Sequence, residues 1–339
     1  MVLTTALGAM VLIGTVLASI VTTRLWLAEI QRRGIYAIPN ARSSHAVRTP
    51  TGGGLPVVIL ILLAWLILCW PLSWPNLVCL GAAVPLLAVS WRDDQRPLAP
   101  ITRFGVQIAA VAVCLAVLPG EARVLPKAIP LALERLALGI GWIWFINVFN
   151  FMDGIDGLAS TEAAMIMLGF VLVARQSGMA WQNEVLSLLI AGGALGFLAW
   201  NWSPARIFLG DSGSIPFGFL IGWLLIHLAC AGAPVAALLL PLVFLSDASI
   251  TLAKRLWRRE RFWEPHREHY YQSPVKAGAR HAAVVWKIAA VNVCLVGLAL
   301  WSLKIPVTAA LAGLALVFVL LRHLEEWGKV GVAGQQTPV

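Results

Sequence analysis

An all-α, polytopic integral membrane protein is the fold class this sequence predicts, and three observations predict it. Hydrophobic residues make up 60% of the 339-residue chain, charged residues 12%, and the mean hydropathy is +0.83. A soluble domain carries roughly 25% charged residues. The apolar residues fall in runs of about 20, the length at which a helix crosses the hydrocarbon core. Lysine and arginine collect in alternate connections, the bias that orients membrane helices.

The runs predict about eleven spans in chain order, or ten without the fifth. The first, near 3–23, holds no Lys or Arg, so it lacks the basic start of a cleaved signal peptide and is expected to be retained. The second, near 54–73, is entered through Gly52-Gly53-Gly54, and the third, near 76–92, ends at Asp93-Asp94. The fourth, 104–119, follows Arg103, and the fifth, 128–149, is weakest because Glu134 and Arg135 lie inside it. The sixth and seventh are 157–175 and 183–201. The eighth, 213–231, follows Gly210-Asp211-Ser212; the ninth, 234–253, contains Asp247 and stops at Lys254; 283–302 and 305–322 complete the set.

An outside N-terminus and a cytoplasmic C-terminus put 20 of the 25 Lys and Arg on the cytoplasmic side, leaving Arg123, Lys127, Arg135, Arg175 and Lys304 opposite. The chain then reads as one transmembrane domain over 1–326. Its cytoplasmic loops are 31–53, 92–103, 150–157, 202–213 and 254–282, and 327–339 is expected to be a flexible tail. The net charge of +9 reflects this topology and attraction to anionic headgroups. It is spread over separate loops, which speaks against nucleic-acid binding. The five cysteines (Cys69, Cys79, Cys114, Cys230, Cys294) lie in apolar spans without CxxC spacing and read as packing residues. Many of the 16 tryptophans sit near span ends as an interfacial belt.

Five polar patches interrupt this apolar chain, and the topology puts all five on the cytoplasmic rim. Asp93-Asp94 sets two adjacent carboxylates at a helix C-terminus, where they oppose the helix dipole and repel each other. A solvated loop with Arg92 and Arg96 as partners is the plain reading; a Mg²⁺ site or a base is the functional one. In Asn147 through Leu158, the residues Asn147, Asn150, Asp153 and Asp156 recur every three positions, as neighbours on a helix surface would. Gly154 and Gly157 allow a turn or close approach to a ligand. Oxygen ligands beside exposed backbone suit Mg²⁺ and a phosphorylated substrate. Gly210-Asp211-Ser212-Gly213-Ser214 opens a helix, where free N–H groups bind anions and Asp211 either caps the helix or holds a cation.

His266-Arg267-Glu268-His269 lies in the largest basic loop, with donors of the kind that clamp diphosphates; a lipid-headgroup patch is the plain reading. Pro39 through His45, with Arg42 in it, leads to Pro50-Thr51-Gly52-Gly53-Gly54, a weak glycine-rich signal for phosphate approach. Asp247 is a carboxylate inside a span, expensive and therefore a candidate functional group.

Taken together, Asp93-Asp94, Asn147 through Leu158, and Gly210 through Ser214 resemble the polyprenyl-phosphate N-acetylhexosamine-1-phosphate transferases, of glycosyltransferase family 4 type. The resemblance runs from residue 37 to about 285. The Pro39–His45 and Pro50–Gly54 loop looks most like the branch that initiates O-antigen. The resemblance implies transfer of N-acetylhexosamine 1-phosphate from a UDP-sugar to undecaprenyl or another polyprenyl phosphate, with release of UMP. It implies a Mg²⁺ cofactor, with Mn²⁺ as a substitute, and a bacterial inner-membrane enzyme with its site on the cytoplasmic face. Asp211 is implied as a metal ligand, with Asp153 beside it, and Asp93 and Asp94 as base or positioner of the lipid phosphate. Asn147, Asn150, Asp156, His266, Arg267, His269, His45, Arg42, Gly53 and Asp247 are implied as substrate-binding residues. A homodimer is compatible with this reading.

Two departures mark this sequence. His266-Arg267-Glu268-His269 lacks the histidine triplet of the peptidoglycan enzyme, which argues against a MurNAc-pentapeptide substrate, and Ala37 stands where relatives often carry Asp. The competing classes are a CDP-alcohol phosphotransferase, whose motif needs an Ala-Arg absent after Asp153-Gly154, and a transporter of lipid-linked sugars. A transporter predicts charges deep in several spans, whereas Asp247 stands nearly alone.

Overall fold

A computed structural model describes residues 4–37, 47–125, 129–260 and 266–335. Its long helices are α1 (Thr5–Arg33), α3 (Trp74–Gln95), α4 (Pro100–Val117), α5 (Leu131–Phe151), α6 (Leu158–Gln176), α7 (Trp181–Asn201), α8 (Asp211–Cys230), α12 (His281–Ser302) and α13 (Pro306–Gln335). Shorter helices are α2 (Gly54–Leu68), α9 (Pro234–Leu239), α10 (Leu242–Trp257) and α11 (Gln272–Lys276). Helices are what an apolar chain forms in hydrocarbon, because each backbone polar group finds its partner within the segment. Proline starts α4 and α9, where its missing N–H is no loss.

Among the described residues, nine helices are long and apolar enough to cross a membrane. The expected eleven therefore needs correcting in two places. The second span is a 15-residue helix, α2. The ninth is broken into α9 and α10 at Leu240-Pro241, because proline lacks an N–H and its ring clashes with the preceding turn. The fifth span does form, and its two charges sit in the first turn of α5. Glu134 accepts from Arg123 Nη2 (3.0 Å) and the Val124 N–H (2.7 Å), while Arg135 Nη2 donates to the carbonyls of Pro119 (2.7 Å) and Ala122 (2.9 Å). Both charges bind the preceding loop, so neither enters the bundle bare.

The C-terminal expectation also changes. Residues 327–335 continue α13 instead of forming a flexible tail. Trp327 lies under the Lys287 ammonium at 5.2 Å, and Gly328 packs directly on Ser273. These contacts hold the helix beyond the apolar run that the sequence made visible.

α6, α7 and α8 are buried along most of their length, and the other long helices ring them. α1 packs on α7, where Ser19 Oγ donates to the Gly193 carbonyl at 2.8 Å, and α8 is flanked by α3 and α5. The cysteines form no disulfide. Two short strands, β1 (Tyr36–Ala37) and β2 (Thr49–Pro50), pair antiparallel and bring the first loop back to the bundle.

From β2 the backbone clasps the segment before α8. The Phe208 N–H donates to the Pro50 carbonyl (2.8 Å), the Gly53 N–H to the Phe208 carbonyl (2.9 Å) and the Gly54 N–H to the Leu209 carbonyl (2.8 Å). The clasp draws α2 onto α8 so closely that a Cβ on Gly54 would lie 2.1 Å from Gly213 Cα. Gly54→Ala is therefore expected to destabilise the protein in detergent by about 1–3 kcal/mol, as overpacking does. Gly81→Ala, with open space around its Cβ, should leave the unfolding temperature unchanged or raised.

Candidate active site

The site begins where α3 ends. Asp93 and Asp94 lie in the last turn of α3, not in a loop beyond it. Their carboxylates diverge. Asp94 Oδ1 accepts the Asp211 N–H (2.8 Å) and Oδ2 accepts the Ser212 N–H (3.0 Å). A carboxylate unfavourable at the C-terminus of its own helix thus caps the N-terminus of another, where the dipole favours it. Gly210 makes room: its φ is +75°, and a Cβ there would meet both Asp94 oxygens at 2.7 Å. Asp93 Oδ2 accepts instead from Arg103 Nη1 (2.8 Å), at the start of α4, and the same nitrogen reaches Asp211 Oδ2 at 3.2 Å.

α5 supplies the next side. Asn150 Nδ2 donates to Asp211 Oδ1 (2.9 Å) and Ser214 Oγ (2.8 Å). Asn147, a turn deeper, donates to Gln107 Oε1 at 2.8 Å and joins α5 to α4 without lining the pocket. The helix stops at Phe151, so the three-residue recurrence lies on a helix face only for the two asparagines. Asp153 and Asp156 sit in the turn that leads to α6.

In that turn the two aspartates are opposites. Among the described residues, the Asp153 carboxylate has no hydrogen-bond or ion-pair partner. Burial pushes it up to about 8, helped by the charges of Asp211, Asp94 and Asp156. Asp156 lies 3.1 Å from His281 Nδ1, at the start of α12, and accepts the Ala205 N–H at 3.2 Å. Burial acts to raise Asp156, but the imidazole outweighs it and leaves the carboxyl below its ordinary value. Asp94, Asp153, Asp156 and Asp211 together line a pocket of about 340 Å³ with Thr51 and His281. No set of three acidic, histidine or cysteine side chains is gathered for a metal ion among the described residues.

The 266–271 segment takes a different place. Asp247, fully buried on α10, accepts from the backbone N–H groups of Tyr270 and Tyr271 (3.0 Å each), and His269 Nδ1 lies 3.1 Å away. Asp247 and His269 do not line the acidic pocket; they anchor the segment. The His266 ring lies tilted beside that of His269, centroids 4.9 Å apart. Burial, with His269 and Arg255 beside it, lowers the His266 imidazole to about 4. Burial opposes the Glu268 charge, yet Arg258 and Arg255 hold that carboxyl below its ordinary value. Tyr271 Oη donates to the Phe151 carbonyl at 3.2 Å, which presses the segment onto the Asp153 turn and brings Gln272 to the pocket wall.

Of the remaining sequence candidates, Gly53 contributes its backbone to the clasp. Arg42 and His45 lie outside the described residues. The sequence reading missed Arg103, Asn201, Gln272 and His281. In the sequence Arg103 reads only as an orienting charge, and His281 belongs to no motif. Its transporter argument also missed Glu162, buried on α6 beside Asn292 of α12.

Fold and site define a polytopic membrane protein whose carboxylates converge at one end of the bundle. Residues 76–229, from α3 to α8, match the family model of glycosyl transferase family 4. It is 30% identical over 218 residues to decaprenyl-phosphate N-acetylglucosaminephosphotransferase of Mycolicibacterium smegmatis, covering 56% of this chain and 52% of the relative. It is 34% identical over 203 residues to phospho-N-acetylmuramoyl-pentapeptide-transferase of Chlamydia muridarum, covering 51% and 59%. The decaprenyl-phosphate enzyme of Mycobacterium tuberculosis is 26% identical over 296 residues, 75% of this chain and 72% of that one. The chain thus spans between half and three-fifths of the length of the first two relatives.

Asp247→Asn is expected to loosen the segment it anchors. Losing a charged acceptor of two buried N–H groups costs about 1.5–3 kcal/mol. Hydrogen exchange at Tyr270 and Tyr271 should therefore rise roughly tenfold or more, while amides of α7 stay unchanged.

Proposed function

We propose that the chain transfers N-acetylhexosamine 1-phosphate from a UDP-sugar to a polyprenyl phosphate, and that the product initiates a cell-surface polysaccharide of O-antigen type. An oxygen of the lipid phosphate attacks the β-phosphorus of the donor. The bond from that phosphorus to the bridging oxygen breaks, and UMP leaves with the oxygen. The observation that carries this reading is the meeting of Asp94, Asp153, Asp156 and Asp211 in one pocket at the end of a membrane bundle. The named activities of the relatives support the substrate classes. The excess of Lys and Arg in the loops that form the pocket supports a cytoplasmic-face site in a bacterial inner membrane.

Four carboxylates and no lysine or arginine line that pocket. A diphosphate entering it alone would be repelled, so the donor set calls for a divalent cation. Magnesium is commonly held by one or two carboxylates plus substrate phosphates, and Asp211 with the unpartnered Asp153 would hold it here. Mn²⁺ would serve as a substitute. The ion would neutralise the diphosphate and polarise the attacked phosphorus.

The protein's own groups do the positioning. Asp94 fixes the start of α8 and so the place of Asp211. Asp93 orients Arg103, a cation within reach of an incoming phosphate. The second pKa of a phosphomonoester is about 6, so the acceptor arrives ionised and needs little help from a base. Asn150 and Asp156, on the pocket wall, would face the nucleotide; His266 and Arg267 do not line the pocket, and their part in holding the diphosphate and sugar rests on the resemblance alone. The polyprenyl chain has an apolar cavity of about 270 Å³ between α5, α8 and α9, lined by Trp142, Phe145, Leu225 and Leu238. Phe145 stands five residues before Asn150, about 7.5 Å along the helix.

The test is the nucleotide released when purified protein meets polyprenyl phosphate, Mg²⁺ and a panel of UDP-N-acetylhexosamines. UMP is expected; UDP would mean transfer of the sugar alone and would overturn the mechanism. Asp211→Asn should lower the rate at least about 100-fold even at saturating Mg²⁺, the scale of losing a preorganised charge at the reacting centre. Cation affinity should also depend on pH. Asp153 holds a proton below about 8, and the cation must displace it. Affinity for Mg²⁺ by calorimetry should therefore climb up to roughly tenfold per pH unit from 6 to 8 and then level off. Asp153→Asn should flatten that slope.

A further inference from the structure

A cavity of about 790 Å³ among the described residues shares no wall residue with the acidic pocket. It lies between α10, the 266–271 segment, α11 and the end of α13. Four cations face it, Lys254, Arg258, Lys276 and Lys329, against two carboxylates, Glu268 and Glu325. Both carboxylates already have partners. Glu268 pairs with Arg255 at 2.6 Å and with Arg258, and Glu325 with Arg322 at 3.3 Å and Lys329 at 3.5 Å. Lys254 Nζ gives one of its three N–H groups to Tyr270 Oη at 2.6 Å, and two remain. Lys276 has no hydrogen bond or ion pair among the described residues. Burial, and Arg267 near it, hold its amine below the ordinary value. The cavity is thus short of negative charge.

Trp257, which lines the cavity, is 90% exposed, and Leu256 beside it on α10 and Val330 beside Lys329 on α13 are exposed large hydrophobic residues too. In a membrane bundle, tryptophan and lysine side by side mark the depth where headgroups meet acyl chains. A ligand for this cavity therefore needs an anionic head and an apolar body at the same depth.

We infer that the cavity binds the phosphate of an anionic phospholipid between Lys254 and Lys276, its chains lying against the exposed apolar sides of α10 and α13. The site is distinct from the acceptor's apolar cavity, and its occupancy does not depend on the transfer reaction. Because Lys254 also holds Tyr270, the bound lipid braces the 266–271 segment beside its Asp247 anchor, two turns further along the same face of α10.

Amine acylation read by mass spectrometry tests this on the intact protein. The protein is placed in nanodiscs of phosphatidylcholine alone, or of phosphatidylcholine with phosphatidylglycerol. Lys254 and Lys276 should react roughly five-fold more slowly in the second, the worth of one basic residue at an anionic surface. Lys304, exposed beyond the far end of α12, should react equally in both. A Lys254→Gln, Lys276→Gln double variant should also lose co-purifying phosphatidylglycerol that the wild type retains. Equal labelling of Lys254 and Lys276 in the two lipids would overturn the proposal. So would protection by polyprenyl phosphate added to phosphatidylcholine without protection by phosphatidylglycerol, which would assign the cavity to the acceptor.

Discussion

The site hangs on the two hydrogen bonds that Asp94 accepts from the first N–H groups of α8. Those groups have no partner within their own helix, and water is scarce at this depth. A carboxylate from α3 satisfies both and sits at the positive end of the α8 dipole. The contact fixes the distance between two helices and turns Asp211 toward Asn150 and Arg103. Removing the room at Gly210 would break it as surely as removing Asp94. The backbone clasp from Pro50 to Gly54 holds the same junction from the other side.

Around that junction the bundle tolerates a concentration of negative charge that its own energetics oppose. Each carboxylate but one has a partner: backbone N–H groups for Asp94, Arg103 for Asp93 and Asp211, His281 for Asp156. Asp153 is the exception, and its carboxyl rises to about 8 as a result. A buried carboxyl without a partner, beside carboxylates that have theirs, makes Asp153 a candidate ligand-binding position. The proposed cation would supply that partner and make the pocket acceptable to a diphosphate.

The 266–271 segment shows how an intramembrane charge can serve geometry. A carboxylate in a span is costly, which makes Asp247 a candidate functional group, and the resemblance implies that it binds substrate. Its cost is offset by three donors from one short segment, and those donors order Tyr271 against the Asp153 turn. The break at Leu240-Pro241 matters here, because α10 starts a new direction and carries Asp247 toward that segment. A lipid phosphate at Lys254 would act on the same element two turns further along α10.

The amino-acid sequence by itself determined the helical membrane class, because hydropathy and length leave a chain in lipid no other way to satisfy its backbone. It also marked the patches that meet at the pocket, since Asp93-Asp94, Asn150 through Asp156 and Gly210 through Ser214 interrupt apolar runs. The division of labour among those residues came only from tertiary structure. Asp93 and Asp94 are neighbours in sequence yet face different helices. Asn147 and Asn150 share a helix face yet only one reaches the pocket. His281 and Arg103 carry no motif at all; they matter because helix packing sets them 3.1 Å from Asp156 and 3.2 Å from Asp211. Such pairings join residues about 100 positions apart, and no local pattern of hydropathy or spacing encodes which partner a buried charge will find.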